Sequence, residues 1–429
     1  MSDLLCFNES VQVYPFDGAS QRPMLVCEVP HEDAPSRFLL PEELIEFLKR
    51  FDGTQATEKL IQQYIETHPQ YTTEKVSSLI HQYCLSKGLL LQAGASRSTM
   101  PEGQVRRRGY LYLRIKLFSP KFVSAVSTPL RWLFEWKVLL SLLPVFILAQ
   151  AFFFVRVMPG YQFSLNNMQG FDFFIVTLLA SLLGLFHEFG HAAALNHYGY
   201  RRSEIGWGLY ISFPVFYTDL SDCWKLKRGQ RAMVDLGGIY FHCLSLVVVL
   251  GLILWKHSHL LVYCFFFADL QIAAALNPFL RMDGYWLVGD LFGIADLNKR
   301  IVLWFEYWAH RLLKISDKTT EHPFADLAVK SRRFLYVYVA SVMAFVVLLT
   351  KILLIQVVFE LIPAYPRLVI KFWAMLTAPH LSLLEILDLG SGLLWKALVI
   401  YGFLRLIYNT MLKFTAWAIR TQRTARAAT

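Results

Sequence analysis

The chain has 429 residues, of which 55% are hydrophobic, 15% aromatic and only 17% charged, and a formal net charge of +10. That balance excludes an ordinary soluble globular protein and points to a polytopic membrane protein with room for a soluble domain. The positive charge is unaccompanied by any nucleic-acid motif, so nucleic acid is not an expected partner, and basic residues in such a chain serve first as topology markers.

Residues 1–95 are soluble in character. They predict a strand pair near Met24–Pro30 and Arg37–Leu40, then helices at Pro41–Phe51, Thr57–Thr67 and Thr72–Lys87, with Gly88 as a helix stop before Leu89-Leu90-Leu91. This order predicts a small α+β winged-helix domain. Met1 to Ser20 lacks a basic segment followed by an apolar core, so no secretory signal is expected and the N-terminus is placed in the cytoplasm. Residues 96–131 are expected to be a basic linker, with Arg106-Arg107-Arg108, followed by an amphipathic approach to the bilayer.

About 20 apolar residues cross a hydrocarbon core. That requirement predicts about six spans, at 132–157, 171–198, 234–255, 260–280, 334–359 and 393–414, within a membrane domain of residues 132–415. A basic cytoplasmic tail is expected at 416–429. Between the second and third spans, Ile205–Tyr217 is apolar, aromatic and interrupted by Gly and Pro, which predicts a hairpin or re-entrant strand pair. Arg201, Arg228, Lys299, Arg333, Lys413 and their neighbours follow even-numbered spans, whereas Lys256, Arg367 and Lys371 lie on the other side. The asymmetry predicts both termini in the cytoplasm of a bacterial inner membrane. Six cysteines without C-x-x-C spacing argue against a cysteine metal site or a disulfide framework.

Inside the second span the chain reads His187-Glu188-Phe189-Gly190-His191. On a helix, residues 187 and 191 lie one turn apart on one face, so two imidazoles can reach one metal ion, with Glu188 beside them as the base. Ionisable groups at membrane depth are costly unless paired or metal-bound. Catalytic zinc usually takes three protein ligands. Asp283, in Asn277-Pro278-Phe279-Leu280-Arg281-Met282-Asp283-Gly284 at the end of the fourth span, is the best third ligand. Asn277 has two open uses: contact with substrate or a developing oxyanion, or satisfaction of backbone opened by Pro278. His242 is expected to be a structural hydrogen-bond partner rather than a ligand.

HEFGH followed about ninety residues later by NPFLRMDG resembles the site-2 protease family of intramembrane zinc metalloproteases, and the longer strings NPFLRMDGYWLVGDLFGIADL and PVFYTDLSDCWKL resemble its bacterial peptide zinc metalloprotease branch. The resemblance covers roughly residues 110–415 and implies Zn²⁺ held by His187, His191 and Asp283, with Glu188 as general base. The chain departs from the pattern in the third span, where Gly237-Gly238-Ile239-Tyr240-Phe241-His242 stands in place of an Asn near a glycine pair. Residues 38–91 are similar to the small peptide-binding chaperone of the pyrroloquinoline quinone pathway, a winged-helix fold that captures leader peptides by strand addition.

Together these imply a zinc metalloendopeptidase acting on a membrane-associated or exported peptide in bacterial peptide maturation or secretion. Its expected partners are the peptide substrate, the lipid bilayer, and an ABC exporter with adaptor subunits. The alternative is a non-hydrolytic, zinc-stabilised membrane component that binds peptide or assembles with a transporter. Helical backbone hides its carbonyls, so a substrate must unwind or enter as an extended strand, for which Ile205–Tyr217 offers an edge.

Overall fold

The structure is a computed structural model that describes residues 4–30, 35–69, 71–93, 111–163, 170–210, 213–312, 322–377 and 383–428. The chain divides into two compact units. One comprises Met1–Arg108 with the short segments Trp224–Arg228 and Asp326–Ala328, and the other comprises the remainder.

In the first unit, β1 (Leu5–Phe7) pairs antiparallel with β5 (Leu90–Gln92), while β2 (Gln12–Phe16), β3 (Met24–Val29) and β4 (Ser36–Pro41) form an antiparallel sheet with β3 in the middle. The expected strand pair is β3 and β4, in a register that sets Cys27 opposite Phe38 and Glu28 opposite Arg37. Helices α1 (Glu42–Leu48), α2 (Thr57–Thr67) and α3 (Thr73–Ser78) follow, and α3 continues through a wider turn at Leu79–Cys84. Glu42 and Glu43 suit the positive end of α1, and Thr72 caps α3 by accepting the Lys75 N–H. Gly88 takes φ +70° and ends the helical run, as its position predicts. Ile45, Leu48, Phe51, Leu60, Ile80 and Leu89 meet in one apolar core.

The two later segments complete this unit. Glu28, only 8% exposed, receives both Arg37 Nε at 2.9 Å and Lys225 Nζ at 2.8 Å, and Lys225 also lies over the Tyr14 ring. Burial pushes the Glu28 carboxyl up, but Lys225 and Arg37 together outweigh it and hold the group below its ordinary value. Arg228 donates to Asp17 through its backbone N–H and its guanidinium, and Ala19–Gln21 pair with Asp326–Ala328.

The second unit opens with β6 (Leu111–Phe118), helix α4 (Pro120–Ser127) capped by Ser119, and a tighter turn at Thr128–Phe134. These elements occupy the stretch expected as the approach to the bilayer, while the basic linker at 94–109 lies outside the described residues. Next come α5 (Trp136–Phe152), which passes through Phe153–Val157 into the single turn α6 (Met158–Gly160), then α7 (Gly170–His197), β7 (Ile205–Tyr210), β8 (Phe213–Thr218) and α8 (Arg228–Lys256). The predicted strand pair at Ile205–Tyr217 is thus β7 and β8, and β6 joins it to make a three-stranded antiparallel sheet with β7 in the centre.

The remaining helices are α9 (His259–Ala275), α10 (Asp283–Leu291), α11 (Leu297–Leu312), α12 (Val329–Leu353), α13 (Ile362–Leu376) and α14 (Leu383–Ala428). Four helices among the described residues are long and apolar enough to cross a membrane: Trp136–Gly160, Asp172–His197, Arg228–Lys256 and Val329–Leu376. They include the first three expected spans, at 132–157, 171–198 and 234–255, and the stretch 334–359. The 260–280 stretch ends as a helix at Ala275, a 17-residue element, before Pro278 removes a backbone donor. The 393–414 stretch lies inside the 46-residue α14, which runs on through most of the expected tail.

Helices α7 and α8 cross at glycines. A Cβ on Gly190 would overlap the Gly237 carbonyl, and one on Gly237 would stand 2.8 Å from the Gly190 carbonyl and 2.9 Å from the Ala194 Cβ. Small residues let two backbones approach this closely, and the approach positions the site.

Candidate metal centre

His187 and His191 are 8% and 3% exposed on α7, with their Nε2 atoms 3.1 Å apart. Asp283, the first residue of α10, sets one carboxylate oxygen 2.9 Å from His187 Nε2 and the other 3.4 Å from His191 Nε2. The three side chains each offer a donor atom, all within 4.8 Å of one another. Three residues separated by up to 96 positions are brought together here because α10 starts immediately beyond the Pro278 break. Gly284 permits that start, since a Cβ on it would overlap the Leu276 carbonyl.

The surroundings fit a metal ion. His191 Nδ1 lies 2.8 Å from the Val234 carbonyl on α8, which fixes that nitrogen as the N–H donor and leaves Nε2 with its lone pair toward the cluster. Gly238 backs both imidazoles, and a Cβ there would overlap both Nε2 atoms. Asp283 Oδ2, the oxygen 2.9 Å from His187 Nε2, is buried and has no other polar partner. Two imidazoles and one carboxylate are a donor set suited to zinc, with a fourth position for water or substrate.

Glu188 is not one of the three clustered ligands. Its Oε2 accepts the Thr218 hydroxyl at 2.7 Å, and the same hydroxyl lies 3.1 Å from the Glu188 carbonyl oxygen. Thr218 closes β8, so the end of the hairpin holds the carboxylate of the HExxH segment. Tyr210 accepts the Arg281 N–H at 3.2 Å, and Tyr338 donates to the Pro278 carbonyl at 2.6 Å. The loop leading into Asp283 is therefore pinned from β7 and from α12.

Asn277 stands on that loop, where its side-chain oxygen accepts the Phe279 N–H at 2.8 Å. That bond serves the backbone next to Pro278. Arg281 turns toward Asp296, 3.8 Å away, rather than toward Asp283. His242 is 2% exposed with its ring centroid 5.6 Å from that of His187, and its Nε2 and His187 Nδ1 are both buried without a hydrogen-bond partner. All six cysteines are free and none joins the cluster.

Thr218, the Val234 carbonyl, Tyr210 and Tyr338 were not apparent as site residues from the sequence. Only Gly237-Gly238 carried a local signal, because adjacent glycines inside a span mark a close approach.

No profile of a known protein family matches the chain, and no solved structure matches it. The chain is 25% identical over 134 residues to a Bacillus subtilis (strain 168) protein named "Putative peptide zinc metalloprotease protein YydH". The match takes in 30% of this chain and 53% of the relative, so it spans about half of that protein's length.

Proposed function

We propose that the protein is a membrane-embedded zinc metalloendopeptidase that hydrolyses a membrane-associated or exported peptide. The observation that carries this reading is the Asp283 carboxylate reaching both Nε2 atoms of a helical HExxH pair, at 2.9 and 3.4 Å, beside an intact Glu188. The distant likeness to a protein named as a peptide zinc metalloprotease supports the same class.

His187, His191 and Asp283 would hold a zinc ion, which would supply the Lewis acidity that brings the pKa of water near 7. Glu188 takes the proton as water attacks the peptide carbonyl and returns it to the leaving amine. The Thr218 hydroxyl restricts the Glu188 rotamer, so the base is oriented before substrate arrives. The outer edge of β8 pairs with no other strand among the described residues, and an extended peptide added there would run toward Thr218 and hence toward Glu188.

In this reading the N-terminal unit recruits the peptide, both termini face the cytoplasm of a bacterial inner membrane, and the protein works beside an exporter in peptide maturation. The test pairs elemental analysis of purified protein with a comparison of the peptides in cells carrying wild type or Glu188→Gln. Zinc in both proteins, with peptides that accumulate uncut only in the variant, is the expected result. Zinc in both with identical peptide populations would leave the non-hydrolytic component as the reading.

A further inference from the structure

Arg231 is 2% exposed, one of the most deeply buried side chains in the molecule. A guanidinium at that depth requires a counter-charge, and its Nε donates to Asp290 Oδ1 at 2.6 Å. Asp290 lies on α10, seven residues after the ligand Asp283. Gly238, which backs the two imidazoles, lies on α8 seven residues after Arg231.

Seven residues fall within about 20° of two full helical turns and cover roughly 10.5 Å. Each helix therefore presents its two residues on one face at the same separation. Arg231 meets Asp290 at one end of the contact, and Asp283 meets the imidazoles that rest on Gly238 at the other. This matching runs the two helices antiparallel over that stretch. Between the ends, the Val234 carbonyl holds His191, and Asp235 lies beside the Asp290 carboxyl. One face of α8 thus fixes a ligand on α7 and the helix that carries the third ligand.

We infer that the Arg231–Asp290 ion pair is a positioning device for the metal centre, setting where α10 stands along α8 and so whether the Asp283 carboxylate spans both imidazoles. The loop before Asp283 contains the Pro278 break, so a second anchor beyond the ligand is what makes its placement rigid. The inference rests on the metal-binding part of the proposed function and is independent of peptide cleavage.

The test uses full-length protein in detergent, with zinc affinity from competition against a chelator and the visible absorption of the Co²⁺-loaded protein as a report on ligand geometry. Asp290→Asn and Arg231→Gln are each expected to weaken zinc by about 10- to 100-fold and to alter the Co²⁺ bands. The double variant should lose little more than either single, because the pair acts as a unit. Glu28→Gln, which disrupts a comparably buried ion pair in the other unit, should keep wild-type zinc affinity and Co²⁺ bands.

Zinc affinity within twofold of wild type in both single variants, unchanged Co²⁺ bands, or a double variant whose loss is the product of the two singles would each overturn the inference. Should the singles fail to fold, Asp290→Glu keeps the charge and lengthens the arm. A several-fold loss of zinc affinity there supports the positioning role, and wild-type affinity overturns it. Wild-type protein that binds zinc as described yet cuts no peptide removes the protease reading and leaves this one standing.

Discussion

The two units treat buried polar atoms in opposite ways. In the N-terminal unit the buried acid Glu28 is saturated by Arg37 and Lys225 around an apolar core, and no described side chain there holds a buried nitrogen or oxygen without a hydrogen-bond partner. In the second unit nine such atoms remain among the described residues, and four of them, His187 Nδ1, His242 Nε2, Asp235 Oδ2 and Asp283 Oδ2, belong to or adjoin the metal centre. A buried polar atom left unmade costs about 1–3 kcal/mol. The first unit meets its polar demand internally, whereas the second tolerates unmet demand, part of it where a cation would supply a missing contact.

If that contrast is right, the largest effect follows from removing the ligands. His191→Ala, and more completely the His187→Ala, His191→Ala double variant, should lose the metal, as elemental analysis would report. Zinc content equal to wild type in the double variant would rule out this centre.

Next in size is the base. Glu188→Gln should retain zinc and fold yet lower cleavage by on the order of 10²-fold or more, because the amide cannot accept the proton of water. Thr218→Val, which removes the hydroxyl at 2.7 Å from Glu188, should give a smaller loss in kcat with little change in zinc content. A Thr218→Val enzyme with wild-type kcat would show that the base needs no orienting partner.

A third test concerns space rather than charge. Gly238→Ala would put a methyl group against both Nε2 atoms, so it should weaken zinc by at least about tenfold, and the crowding should cost on the order of 1–3 kcal/mol of stability. Chelator competition and thermal unfolding measure the two separately. Wild-type zinc affinity in Gly238→Ala would mean that α8 does not back the imidazoles.

These tests also mark how far the sequence could be read. His187, Glu188 and His191 were legible because one helical turn encodes their geometry, and Asp283 because Pro278 and Gly284 flag a break beside it. The β7–β8 hairpin was legible from its glycines, proline and aromatic residues. Strand β6 was not, because its partner lies about ninety residues away and nothing local records that pairing. The very short β1 and the Pro15-containing β2 carry too little alternation to stand out. Thr218, Tyr210, Tyr338 and the Arg231–Asp290 pair act only through tertiary proximity, so their residue types alone carry no message. The end of the fourth apolar stretch was not legible, because apolar composition runs past Ala275 while the helix does not.

The smallest expected effect returns to the saturated acid. Glu28 is held below its ordinary value in the folded protein because Lys225 and Arg37 favour the carboxylate more than burial opposes it. A group whose folded pKa lies below its unfolded one contributes stability that is fully present above the unfolded value, here 4.5, and is lost as pH falls through the folded value. The N-terminal unit should therefore loosen on acidification. Its core amides, such as those of Val26 and Val29 on β3, should lose protection against hydrogen exchange below about pH 4.5 relative to pH 7, after correction for the intrinsic pH dependence of exchange. Glu28→Gln should remove most of that pH dependence, at the cost of lower protection at pH 7, because Lys225 and Arg37 then lack their shared carboxylate. Acid sensitivity of the same size in Glu28→Gln and wild type would mean that the saturation of Glu28 does not govern the stability of this unit, and the contrast between the two units would lose its first half.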